Sequence, residues 1–134
     1  MFHEGLTTKA ITICITRDEV RQYCQAILED HPMYHDIKAA KQANYSDIPL
    51  PATYPSLFWQ ALDIPWFAGI TGMIQTNQTF TYNEPLLANT TYSCYIVLEK
   101  VRTFGRQHFL HHTLYVERMD QVAATSETTL MVNM

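Results

Sequence analysis

Cations are scarce in this chain: nine Lys and Arg stand against thirteen Asp and Glu, a formal charge of -4. A protein that grips phosphate backbones needs an excess of cations, so the balance argues against a general nucleic-acid binder. Phosphate-cradling and nucleophile-elbow signatures are missing too, with no GxxxxGK[ST], GxGxxG or GxSxG, which argues against nucleotide chemistry and Ser-His-Asp hydrolysis. Long apolar runs are absent, since those near Phe58 and Ile96 are short and interrupted, so no membrane span is expected. The first residues, MFHEGLTTKAITICIT, carry neither a basic n-region nor a continuous apolar h-region, and a cytoplasmic protein is expected. Cysteine is sparse and odd in number. Cys14, Cys24 and Cys94 lie far apart in apolar periodic segments, which suits reduced, buried thiols and gives neither a disulfide framework nor metal-ligand spacing. Without an export signal, the Asn-x-Ser/Thr triplets at Asn44, Asn77 and Asn89 are read as coincidence.

What is present is apolar: 47% of 134 residues are hydrophobic and only 16% charged, enough to bury one core and too short a chain for two ordinary domains. Ile11, Ile13 and Ile15 alternate in Ala10 to Thr16, the period of a half-buried strand. Thr16 and Glu19 have capping-box spacing, and Val20, Tyr23, Cys24, Ile27 and Leu28 recur every three or four residues, predicting a helix from about Arg17 to Glu29. A short helix follows from Asp36 through Ala43. The prolines of SDIPLPATYP impose an extended loop, after which Ser56 to Leu62 has helical capacity and is expected to be almost wholly buried. From Met73 onward the pattern turns to strands: Met73 to Tyr82, Thr91 to Thr103, Gln107 to Arg118 and Val122 to Asn133. One strand, a helical first half and four successive strands make an α+β domain, an antiparallel sheet with helices on one face. Its exposed edges predict a dimer.

Two segments carry a family resemblance. EDHPMYHDIKAAKQANYSDIPLPATYP, Glu29 to Pro55, resembles the D-x-N-P-x-H-x-D…A…G-(F/Y)…P-x-T region of the MaoC-like, (R)-specific enoyl-thioester hydratases and dehydratases. QTNQTFTYNEPLLANTTYSCYIVLEKV, Gln75 to Val101, is similar to H-G-x-Q-x-F-x-Y-x-x-P-L-x-x-G in the N-terminal, dehydratase-like half of that family, through Gln78, Phe80, Tyr82, Pro85 and Leu86. The resemblance implies a hot-dog fold, in which a five-stranded antiparallel sheet wraps a central buried helix. It also implies an acyl-thioester ligand, carried on coenzyme A or an acyl carrier protein, no cofactor, and a homodimer or a heterodimer with a related hot-dog subunit.

The family's catalytic Asp and His fall here on Glu29 and Tyr34, the intervening Asn on His31, and the second family His on Gln75. Glu can act as a carboxylate base, but Tyr, with a reference pKa near ~10, is a poor base at neutral pH. The resemblance therefore implies a broken dyad, as in non-catalytic hot-dog halves that support a catalytic partner. Two readings stand for His31 and His35. Either they are surface loop residues, or one replaces the missing base with Asp36 orienting its ring. By the same resemblance, backbone amides at Ser56 and Leu57 would bind the thioester carbonyl, and Trp59, with Phe58, Leu62, Trp66 and Phe67, would serve the core and wall the acyl tunnel. Lys100, Arg102 and Arg106 flank a turn at Phe104-Gly105. They form either a solvated hairpin tip or an anchor for coenzyme A phosphates or an acidic carrier. His111 and His112 point to opposite faces of a strand, and no metal site is expected among the histidines.

The function expected is acyl-thioester binding by a degenerate hydratase or dehydratase, or by the non-catalytic half of one. The alternatives are a thioester hydrolase using Glu29 or Asp36 to activate water, and a binding or structural partner without turnover.

Overall fold

In the computed structural model, which describes residues 2–134, the chain runs β1 (Ile11–Cys14), α1 (Arg17–Ala26), α2 (Ile37–Gln42), α3 (Phe58–Ala61), β2 (Met73–Tyr82), β3 (Thr91–Phe104), β4 (Gln107–Arg118) and β5 (Gln121–Asn133). Short 3-10 turns lie between the helices at Pro32–Tyr34 and Tyr54–Leu57, and a third at Pro65–Phe67 lies between α3 and β2. The five strands form one antiparallel sheet in the order β1-β3-β4-β5-β2.

Strand alternation sorts the side chains into two faces. Cys94, Ile96 and Leu98 of β3 pair with Val116, Leu114 and His112 of β4, Tyr92 pairs with Ile13 of β1, and all of these β3 and β4 residues are buried. A bulge between Leu98 and Lys100 then shifts the register, so Val101 with Leu110 stays inward while Arg102 with Phe109 turns outward. The β4–β5 hairpin closes on Met119 and Asp120, both at positive φ (52° and 62°), the backbone that a two-residue turn between twisted strands requires.

The capping box predicted at α1 is present. Thr16 Oγ1 accepts from the Glu19 amide at 3.1 Å, and Glu19 Oε1 accepts from the Thr16 amide at 3.1 Å. Arg17 then clamps Asp47 through two bonds of 3.0 and 3.1 Å, tying the start of α1 to the proline-rich loop. That loop is extended as expected, with Leu50 donating to the Leu86 carbonyl and Ala88 to that of Ile48, both at 2.8 Å.

Three expectations need correction. Helix α1 stops at Ala26 rather than Glu29, because Leu28 turns to φ 59°; Ile27 and Leu28, expected on the buried face, are 47% and 90% exposed. The Ser56 to Leu62 segment is a 3-10 turn followed by one α-turn. Tyr54, Phe58 and Leu62 are buried, but Leu57, Gln60 and Ala61 face outward. Leu62 is already extended and Pro65 follows, which disfavours helical geometry just ahead of it and leaves no room for a longer helix. The fully buried helical side chains are instead Val20 and Cys24 of α1 and Ala40 of α2. Cys14 is exposed, because alternation along β1 gives the interior to Ile13 and Ile15.

Candidate ligand site

The segment from Glu29 to Asp36 is a compact turn after α1. The Glu29 amide donates to the Cys24 carbonyl at 2.8 Å, and His35 Nε2 lies 3.0 Å from the Glu29 carbonyl oxygen. That bond holds the His35 ring against the backbone. His31 is exposed and its Nδ1 accepts from the Met33 amide at 3.2 Å, capping the Pro32–Tyr34 turn. Asp36 caps α2, accepting from the Lys38 amide at 3.3 Å, so its carboxylate serves the helix end rather than either imidazole.

Tyr34 is half-buried in this turn. Burial, and then the nearby Glu29 carboxylate, push its hydroxyl above the ordinary phenol value, further from use as a base at neutral pH. Its ring faces a cavity of about 360 Å³ lined also by Tyr45, Pro49, Leu50, Ala52, Tyr82, Glu84 and Leu86. Tyr82 donates its hydroxyl to the Ala52 carbonyl, and burial raises its pKa to about 12. The Tyr34 turn, the extended segments around Pro49–Ala52 and Asn83–Leu86, and the end of β2 thus wall one hollow.

Ser56 and Leu57 lie in the 3-10 turn before α3. The Ser56 amide already donates to the Thr53 carbonyl at 3.1 Å, so it is not available to a thioester oxygen. Trp59 packs over the sheet, its ring centroid 5.4 Å from that of His112 at an interplanar angle of 82°. Gln75 is exposed on β2 and donates through Nε2 to Gln78 Oε1 at 3.2 Å. Arg102 and Arg106 are exposed near the β3–β4 hairpin tip. Arg102 lines a separate outer-face hollow of about 340 Å³ with Phe104, Phe109 and His111, and neither arginine lines the Tyr34 cavity. The structure therefore brings Glu29, His31, Tyr34 and Asp36 into one turn, puts Trp59 over the sheet, and sets the two arginines apart.

One arrangement escaped the sequence reading. His112, 1% exposed on the inner face, accepts from Trp66 Nε1–H through its Nε2 at 2.9 Å, while Trp66 stacks on it at 7° and Phe67 meets it edge-on. Burial lowers its pKa to about 4, so the ring is neutral. A signal was available, since His112 alternates in step with Leu110 and Leu114, both fully buried. Among the described residues there is no cluster of three or more His, Cys, Asp or Glu placed to hold a metal, and no helix long and apolar enough to cross a membrane.

A family model described as FAS1-like, dehydratase domain region, matches residues 3–126. Among curated proteins, the chain is 28% identical over 102 residues to a UPF0336 protein of Thermobifida fusca (strain YX), covering 72% of this chain and 67% of that protein. It is 29% identical over 98 residues to a UPF0336 protein of Clavibacter michiganensis subsp. michiganensis (strain NCPPB 382), covering 68% of this chain and 65% of that one. The chain thus spans about two thirds of the length of these relatives. Among solved structures, the C-terminally truncated HadBC (3R-hydroxyacyl-ACP dehydratase) complex from Mycobacterium tuberculosis superposes with a TM-score of 0.85 at 21% identity, covering 96% of both chains. A MaoC-like dehydratase superposes at 0.89 and 22%, covering 98% of this chain and 42% of that one. The ChsH1-ChsH2 complex from Mycobacterium tuberculosis superposes at 0.74 and 18%, covering 95% and 84%. At these identities the likeness is one of fold: the sheet and its helices are a hot-dog.

Proposed function

Because this chain belongs to the FAS1-like dehydratase-region family, we propose that it is a hot-dog subunit that binds an acyl thioester, on coenzyme A or an acyl carrier protein, and lacks a working proton-transfer dyad of its own. The observation that carries this reading is Tyr34. It stands where the family resemblance expects a basic His, opens on the 360 Å³ cavity, and is held protonated by burial and by Glu29. A hydroxyl so raised can donate a hydrogen bond but cannot take a proton from water at neutral pH.

The chain's partner in this reading is a second hot-dog subunit, identical or related. Strand β2 forms one edge of the sheet over ten residues, with Met73 and Ile74 exposed and no charged residue or proline along it, so its outer backbone groups invite pairing. The HadBC and ChsH1-ChsH2 structures are complexes, which supports the same view.

Three measurements on the purified chain test the reading: binding of a fatty acyl thioester, hydration of a trans-2-enoyl thioester, and release of free thiol from a saturated one. Binding without turnover supports it. Efficient hydration by the chain alone overturns the broken dyad, and thiol release would favour a hydrolase using Glu29. No binding at all removes the thioester as ligand.

A further inference from the structure

The outer face of the sheet is polarised along its strands. Arg102, Phe109, Met131 and Ile74 form one cross-strand row near the β3–β4 turn, with Phe104 beyond it and Lys100 beside His111 in the next row. Phe104 and Ile74 are 62% and 59% exposed, and among the described residues neither Lys100 nor Arg102 makes an ion pair. Toward the β4–β5 turn the same face carries carboxylates and tyrosines. Tyr95 and Tyr115 stack at 5.2 Å and 21°, donating to Glu117 at 2.7 Å and to Glu99 at 2.6 Å, and Glu127 lies on β5 opposite Thr113. Cations with apolar side chains at one end and anions with aromatic rings at the other make a face complementary to itself. Its partner surface stands on the same chain.

The register says how two copies meet. When a second sheet faces the first about a two-fold axis that crosses the strands at the level of His112, residues equally far along β4 on either side of that level come opposite each other. Phe109 then meets the partner's Tyr115, and Arg102 meets the partner's Tyr95 with the partner's Glu117 beside it. Lys100 comes to the level of the partner's Val97, next to the partner's Glu99. Each contact occurs twice. A guanidinium over a tyrosine ring beside a carboxylate gains both cation–π and ionic attraction. A hollow of about 450 Å³, lined by Glu99, Lys100, His111, Tyr115 and Glu127 among others, straddles the same level, so it receives the partner's side chains as two sheets ~10 Å apart interdigitate.

We infer that the outer face is a contact between two copies of this chain, in which the Arg102–Phe109 end of each lies on the Tyr95–Tyr115 end of the other. Four strands ~4.8 Å apart and four rows ~6.7 Å apart give about 500 Å² per copy, short of the ~800 Å² that a partner contributes to a stable pair. The contact is therefore the weaker of two. If β2 pairs with the β2 of another copy, as proposed above, that two-fold passes through the middle of the strand, between Asn77 and Gln78; Gln78 pairs with Thr128, which pairs with His112, so both axes lie at one level. They intersect, and the group closes as a D2 tetramer in which each edge pair offers the patch twice, about 1,000 Å². The tetramer rests on edge pairing; the face contact does not.

Sedimentation velocity over a concentration series tests this. The wild-type chain is expected as the edge-paired dimer when dilute and at twice that mass by ~100 μM. Arg102→Glu and Glu117→Arg are each expected to weaken the larger assembly at least ~10-fold and to leave the dimer, because each sets like charges against one another. Arg102 is exposed, and a melting temperature near that of the wild type shows the fold intact. Mixed together, the two variants are expected to recover the larger assembly, since each then meets the charge it lacks. A wild-type dimer that both variants leave intact at every concentration, or a mixture that assembles no better than either variant alone, overturns the inference and leaves the face to solvent or to a different protein. A wild-type dimer that Arg102→Glu splits keeps the face contact and removes edge pairing instead. A wild-type chain that stays monomeric throughout removes both.

Discussion

Trp66 donates its indole N–H to Nε2 of His112 across 2.9 Å, from 46 residues earlier in the chain, and lies nearly parallel to the ring it serves. The bond locks the loop after α3 onto the middle of the sheet, and it needs a neutral imidazole.

That need makes stability depend on pH. Burial, with neighbouring His111 adding to it, lowers the folded pKa of His112 to about 4, against an ordinary value of 6.5. Between those values the unfolded chain binds the proton and the folded one does not, so stability is complete above about 6.5 and is lost as pH falls toward about 4. The shift corresponds to about 3 kcal/mol. Urea unfolding is expected to show a lower midpoint near pH 5 than near pH 7. His112→Phe should cost about 1–3 kcal/mol near neutrality, because Trp66 loses its acceptor, and should flatten this part of the pH dependence. An unchanged slope in the variant would assign it to other groups.

The three thiols should react very differently. Cys14 is exposed, whereas Cys24 and Cys94 are fully buried, and burial raises the Cys94 thiol to about 12 and that of Cys24 more modestly. The thiolate is the reactive species, so a disulfide reagent near neutral pH is expected to label one thiol quickly in the folded protein and all three in denaturant. Loss of the fast phase in Cys14→Ser would confirm its origin.

Strand and loop boundaries were largely legible because they depend on local chemistry. Alternation gave the four long strands, Thr16 and Glu19 gave the helix start, and three prolines gave the extended loop. What failed depended on context. Ile27 and Leu28 continue a helical period that the backbone abandons at Leu28, and Leu57 belongs to an apolar run that needs more helix than Pro55 and Pro65 allow. The residues at the Tyr34 turn could be placed by motif spacing, but the cavity walls come from Tyr45, Leu50 and Tyr82, which meet only after the loop packs beside β2. The His112 partnership with Trp66 is a contact across 46 residues, and no periodicity encodes it.

The β2 edge yields a test of assembly. Ile74 is 59% exposed on that edge, so Ile74→Lys removes no core contact and is expected to change the melting temperature little. A lysine there should disfavour pairing with a second sheet. By native mass spectrometry or sedimentation, the wild-type chain is expected as a dimer, alone or with a related subunit, and the variant as a monomer or as a dimer at least ~10-fold weaker. A variant that assembles unchanged would place the interface elsewhere.

The broken dyad can be probed by repairing it. If Tyr34 is what silences hydration, then Tyr34→His places an imidazole, whose ordinary pKa of ~6.5 suits proton transfer, beside Glu29 and at the mouth of the cavity. Acid-base groups of this kind contribute about 10²–10⁴-fold, so hydration of crotonyl-coenzyme A should rise from background to a rate at least ~10-fold above it. Tyr34→Phe is expected to stay at background, which separates gain of a base from loss of a hydroxyl. Adding Glu29→Gln to the histidine variant should remove the gain, because the carboxylate is then no longer there to share the work. A histidine variant that binds the thioester yet hydrates no faster than wild type would show that the missing base is not the reason for silence, and would move attention to the carbonyl donor, since the Ser56 amide already donates to Thr53.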